Sequence, residues 1–222
     1  MHFFTSYSVL HSSLTYPLYL CSVLVYMILE LQWRPVFSAP AHNDCNDLNN
    51  TKLLSKLLLH QAKDLLNHYI KFHGPRSNSS TDDVPDSTVS GVNVFEKLQD
   101  VYVKNRLFQW HILNVAQHHL QLWGNKEPVA GHLSRVKGRL SHHLSKVKLL
   151  LTDFFPDMPL PPTPAPPNSP TGHTYAKKEY GWLVIVRLRD WEKHVLQLLE
   201  EMDSMCVQQK VKRSHHTFYS LL

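Results

Sequence analysis

YAKKEYGWLVIVRLRDWEKHVLQLLEEMDSMCV, Tyr175–Val207, repeats its apolar residues at steps of three and four: Leu188, Trp191, Val195, Leu198, Met202 and Met205. At about 100° per residue those positions share one side of a helix, so the period is helical and not that of a strand. Three earlier segments repeat the signal. Asp47 to His73 carries Leu54, Leu58, Leu65, Tyr69 and Phe72, with Gly74-Pro75 as its stop. Asn93 to Trp123 carries Leu98, Tyr102, Phe108, Ile112, Val115 and Leu122 and ends at Gly124. The third begins near Pro128, a residue suited to a first helical turn, and runs through Val129, Leu133, Val136, Leu140, Leu144, Val147 and Leu151. Four long amphipathic helices predict an all-α, long-chain four-helix bundle over residues 42–209.

The connections decide which kind of bundle is expected. Only Asn125 to Glu127 separates the second and third helices, which makes them antiparallel neighbours. Gly74 to Val92 and Phe155 to Thr174 are much longer, the latter holding the whole proline run Pro156 to Pro170. A helix of about 25 residues is about 38 Å long, a distance that some twenty extended residues span with slack. Long, short, long predicts an up-up-down-down bundle with two long crossover loops. In that arrangement Cys45, before the first helix, and Cys206, at the end of the fourth, meet at one end. A disulfide between them is expected, with two separate thiols as the alternative.

Of the 222 residues, 43% are hydrophobic, enough for a substantial core, and only seven are Gly, which leaves little material for phosphate loops or tight hairpins. Three Cys make one odd; Cys21 accounts for it by falling in the apolar run Leu18 to Leu31, which has the length of a secretory leader and is short for a membrane span. Ala39-Pro40-Ala41 is a small-x-small pattern, so residues 1–41 are expected to be a cleaved signal peptide, with a retained signal anchor as the alternative. The sequons at Asn49 and Asn78 suit a secreted, glycosylated chain.

Charge and chemistry narrow the function. The balance of 23 Lys+Arg to 18 Asp+Glu, a formal +5, does not call for nucleic acid. Sixteen His include the adjacent pairs His118-His119, His142-His143 and His215-His216, but neighbours on a helix diverge by about 100° and no HExxH or CxxC accompanies them. No metal, cofactor or catalytic motif is expected. The basic tail, residues 210–222 with Lys210-Val211-Lys212-Arg213, is a candidate contact for glycosaminoglycan or acidic membrane, against a plain solvated tail. The proline run reads as a stiff spacer.

On the fourth helix, Tyr175, Lys178 and Trp182 fall opposite the core stripe, and Ile185, Val186, Arg189 and Lys193 extend that outer side. Aromatic and β-branched groups mixed with cations have the composition of a binding hot spot. The competing expectation is that the proline-rich connection folds over the stripe and buries it. On the third helix Gly131, Gly138 and His142 fall opposite the apolar stripe, where the glycines read as tolerated surface residues, with close approach of a partner as the alternative.

With its leader, four helices, long-short-long connections and the segment Tyr175-Ala176-Lys177-Lys178-Glu179-Tyr180-Gly181-Trp182-Leu183, the chain resembles the leukaemia inhibitory factor and ciliary neurotrophic factor branch of the interleukin-6 class of helical cytokines, fish-type members above all. Members of that branch open their fourth helix with Phe-x-x-Lys, which engages the leukaemia-inhibitory-factor-type receptor. Tyr175 and Lys178 stand at the matching positions, with Tyr for Phe, and Tyr180-Gly181 stands where ciliary neurotrophic factor has Trp-Gly. The resemblance implies a secreted, extracellular, monomeric cytokine that joins this receptor to the shared signal-transducing chain of the class and triggers JAK/STAT signalling. It implies receptor contact by Tyr175 and Lys178, which Trp182 would widen. The alternative of another class is a secreted amphipathic carrier that binds lipid or glycosaminoglycan.

Overall fold

A computed structural model describes residues 44–74, 83–125, 128–168 and 172–206. The expected leader with Cys21, the sequon at Asn78 and the basic tail lie outside the described residues. Four helices follow in order: α1 (Asp44–His73), α2 (Val94–Trp123), α3 (Val129–Phe154) and α4 (Thr174–Glu201), with a last helical turn over 203–206. No strand occurs among the described residues, and no helix there is long and apolar enough to cross a membrane.

Local chemistry sets the helix ends. Asn93 caps α2 with its Oδ1 accepting from the Glu96 backbone N–H at 3.0 Å, while Glu96 reaches back to the Val92 N–H at 2.8 Å. These two reciprocal bonds satisfy donors that a helix start leaves without partners. At the other end Gly124 adopts φ +67°, and its N–H returns to the Leu120 carbonyl at 2.9 Å. A side chain there would be strained, which is why the helix stops at glycine.

The helices bury their apolar stripes against one another as a four-helix bundle. α1 packs on α3 and α4, and α2 packs on the same two, so α1 and α2 stand diagonally. Every expected apolar residue of α3 is buried, and Trp191 of α4 is fully buried with its ring 5.1 Å from that of Phe108. On α1 the stripe is displaced from expectation: Leu48, Ala62 and Leu66 join the core, whereas Leu54 is half-buried and Phe72 is 38% exposed. Phe72 instead meets the rings of His73, His119 and Trp123 at the end of the bundle.

Long-range contacts place the helix ends. Lys146, late in α3, pairs with Asp47 at the start of α1 at 2.8 Å. Lys52 of α1 and Lys97 of α2 pair with Asp203 and Glu201 at the end of α4. The start of α1 and the end of α4 therefore meet as expected, but no disulfide joins Cys45 to Cys206. Cys45 is half-buried beside the core, Cys206 is buried within it, and the ends are held by packing and the Lys52–Asp203 ion pair.

The connection from α1 to α2 is pinned along its described length. Asp86 accepts from the Thr88 N–H and hydroxyl and pairs with Lys104 at 2.9 Å. The Lys104 ammonium also donates to the Thr88 carbonyl at 2.7 Å. The Thr88 hydrogen bonds, ahead of the ammonium, lower the Asp86 carboxyl to about 2 despite a smaller opposing push from burial. Val84 is buried and its carbonyl takes the Arg187 guanidinium, while the Ser87 carbonyl lies 2.6 Å from His194 Nδ1. These two partners are on α4 and Lys104 is on α2, so this connection runs over the seam between those two helices.

Midway along the bundle one wholly buried polar residue from each helix joins a single layer: Ser55, Asn105, His143 and Glu192. Ser55 Oγ lies 2.9 Å from His143 Nε2 and 3.1 Å from Glu192 Oε2. Asn105 Nδ2 lies 3.0 Å from His143 Nδ1. Burial drives both ionisable members toward their neutral forms, lowering His143 to about 4 and raising Glu192 to about 8. A neutral Glu192 carboxyl, Ser55 hydroxyl and imidazole then form a connected layer inside an otherwise apolar core.

Candidate functional site

The start of α4 is built from its contacts with α1 and α2. Tyr69 of α1 donates its hydroxyl to the Lys178 carbonyl at 3.1 Å. It reaches that carbonyl by lying across Gly181, where an added Cβ would land on the Tyr69 hydroxyl and ring. The Tyr180-Gly181 pair thus has a local reason: glycine lets α1 approach the first turns of α4. From α2, His111 Nδ1 lies 2.7 Å from the Tyr180 hydroxyl, and the His118 ring stands against the same phenol. Burial lowers His111 to about 4 and raises Tyr180 to about 12. Burial, with a smaller contribution from Lys177, also lowers His118.

The three expected contact residues occupy one helical stripe, at steps of three and four, but they differ in access. Tyr175 is 57% exposed and Lys178 half-buried. Trp182 is only 9% exposed, and every residue from Tyr180 to Ile185 is buried. Of the outer stripe expected from helical position, Trp182 and Ile185 are therefore buried, Val186 and Arg189 half-buried, and Tyr175 and Lys193 exposed. The α1–α2 connection meets α4 at Arg187 and His194, about 120–140° around the helix from Trp182, whereas the cover expected for the stripe is the proline-rich α3–α4 segment. That segment meets the start of α2 instead, where Gln99 donates to the Pro159 carbonyl at 3.1 Å.

An aromatic residue does stand beside Lys178, but it comes from α2. The Lys178 ammonium lies over the Trp123 ring, 5.2 Å from its centroid. A contact of this kind contributes about 0.5–1 kcal/mol where exposed. Phe72 of α1 meets the same indole edge-on at 6.1 Å. Trp123 carried a readable sign, an aromatic in the last turn before a terminating glycine. Only the relation between the end of α2 and the start of α4 makes it part of this site.

The remaining chemistry is structural in setting. Ser55, His143 and Glu192 are the residue types of a nucleophile, base and acid at hydrogen-bond distances, yet all have zero exposure and none lines a described cavity. Among the described residues no cluster of three or more His, Cys, Asp or Glu has the arrangement to hold a metal ion. Asn49 is exposed early in α1, while Thr51 of its sequon is buried with its hydroxyl donating to the Asp47 carbonyl at 2.6 Å. No protein-family model matches the chain, and no curated protein matches it.

Proposed function

We propose that the chain is a secreted four-helix cytokine of the leukaemia inhibitory factor and ciliary neurotrophic factor type, acting by holding receptor chains together and performing no chemistry itself. Its helices run up-up-down-down in this reading. Support comes from the ends that meet: the start of α1 with the ends of α3 and α4, the start of α2 with the end of α4, and the ends of α1 and α2 with each other through Phe72 and Trp123. The long first and third connections supply the reach that two crossovers need.

The observation that carries the functional reading is the exposed Tyr175 ring one turn before Lys178, at the entry of the fourth helix. Tyr175 is the aromatic anchor and Lys178 the cation that meets a receptor carboxylate, with Trp123 in the apolar role expected of Trp182. Binding of the leukaemia-inhibitory-factor-type receptor here and of the shared signalling chain on another face brings their intracellular kinases together and starts JAK/STAT signalling.

Tyr175→Ala combined with Lys178→Ala is the test. Truncating a central anchor costs about 2 kcal/mol or more, so receptor-ectodomain capture should weaken at least about thirtyfold while the circular dichroism spectrum is unchanged. Capture and STAT phosphorylation at the wild-type dose would overturn the assignment.

A further inference from the structure

The seam between α2 and α3 carries a second open surface, apart from Tyr175 and Lys178. Two open cavities of about 170 and about 450 Å³ lie along it and share Lys137 as a wall. The larger is lined by Arg106, Gln109 and Trp110 of α2 and by Lys137, Gly138 and Ser141 of α3, among others. Gly138 is exposed, and a Cβ built on it would meet nothing within 4 Å, so the backbone there faces open space.

The polar groups of this groove are nearly all donors. Arg106 Nε and Trp110 Nε1 are buried without an acceptor, a state that buried donors rarely keep. Arg106 spends one further N–H on Gln109 Oε1 at 3.2 Å, which leaves the Gln109 amide N–H₂ as an additional donor. Neither Arg106 nor Lys137 forms an ion pair with a described residue. The sequence explains why: no Asp or Glu occurs from Val101 to Asn125 or from Pro128 to Thr152. Lys148, exposed and also without an ion pair, stands three turns beyond Lys137 on the same face of α3, about 16 Å along the axis.

We propose that this α2–α3 groove binds a sulfated polysaccharide, with Arg106, Lys137 and Lys148 meeting successive sulfates and Trp110 offering its ring to a sugar. Charge complementarity selects a polyanion. The spacing of the cations along an elongated, open groove selects a polymer with repeated charges. An acidic protein segment would be anchored instead by a large side chain in a desolvated pocket, and this groove is shallow. The site differs from the basic C-terminal tail, and it takes from the cytokine reading only the extracellular setting in which such polymers occur.

Heparin-column elution of the full chain tests the groove. Arg106→Gln, Lys137→Gln and Lys148→Gln together should weaken heparin binding about tenfold or more and flatten its dependence on salt, because fewer counterions are released. Lys210→Gln, Lys212→Gln and Arg213→Gln should leave elution near that of the parent. Gly138→Glu separates folding from binding: it replaces glycine inside an exposed helix with a better helix former, so melting should not fall, yet heparin should elute earlier. Retention of full heparin affinity by the groove variant, or its loss only in the tail variant, would overturn the proposal. Displacement of heparin by a charge-matched polyglutamate peptide would replace the polysaccharide by an acidic protein segment. Receptor capture by the same preparations reports separately on the cytokine reading, since Tyr175 and Lys178 are intact in all of them.

Discussion

Gly181 shows how one missing side chain shapes the α4 entry. Without a Cβ the Tyr69 ring lies flush on the helix and its hydroxyl reaches the Lys178 carbonyl. Gly181→Ala should destabilise the protein by about 1–3 kcal/mol in urea denaturation, although alanine is the better helix former, because the added methyl must displace a buried ring. Tyr69→Phe in the same chain should recover part of the loss by removing the nearest atom. Equal stability of Gly181→Ala and the parent would show that the ring has room to move. The Tyr-Gly pair was visible in the sequence as a point of family likeness; its steric reason was not, because it depends on a residue 112 positions earlier.

At the scale of elements, periodicity gave the helices and misjudged one face. The stripes of α3 and of the later part of α4 were readable because only one side of each meets the core. The first turns of α4 were not, since Trp182 and Ile185 fall on the outer side and are nevertheless buried. A helical wheel drawn from one apolar stripe assigns Trp182 and Ile185 to solvent, whereas α4 packs on both α1 and α2, so the buried arc of its first turns is wider than that stripe. The seat of the α1–α2 connection was not readable either, because its buried Val84, in the polar segment Asp83-Val84-Pro85-Asp86, is too short a sign to carry a period. The connection is held by the Asp86–Lys104 pair and its Thr88 hydrogen bonds. Lys104→Met should therefore raise amide hydrogen exchange in residues 86–92 well above that in the centre of α2. Uniform protection across both would show that Lys104 does not anchor the crossover.

Across the whole molecule, buried ionisable groups give stability a pH optimum. His111 and His143 have pKa values near 4 when folded, against 6.5 when unfolded, so the unfolded chain binds more protons as pH falls from 6.5 toward 4 and stability is lost there. Glu192 acts in the opposite sense. Its folded value near 8, against 4.5 unfolded, makes the folded chain the better proton binder between those values, so stability is lost as pH rises through them. Below 6.5 the two histidines outweigh the one carboxyl; above it Glu192 acts alone. The melting temperature should peak near pH 6.5 and decline toward pH 8, and Glu192→Gln should flatten the alkaline decline in a series of thermal melts. A parent curve that rises steadily to pH 8 would exclude this assignment.

The same buried layer also works as an alignment mark. It has one member per helix, and sliding any helix by a single turn, about 5.4 Å, would carry its member away from the other three and strand a polar group in the apolar core. Glu192 lies 17 residues, about 25 Å of helix, from Tyr175. The height at which Tyr175 emerges, relative to the ends of the other three helices, is thus set deep in the bundle and far from the surface that would use it. Replacing the whole layer with well-packed apolar residues would leave a bundle of comparable stability whose helices have lost their common zero, and the spacing between its outer faces would lose its definition with them.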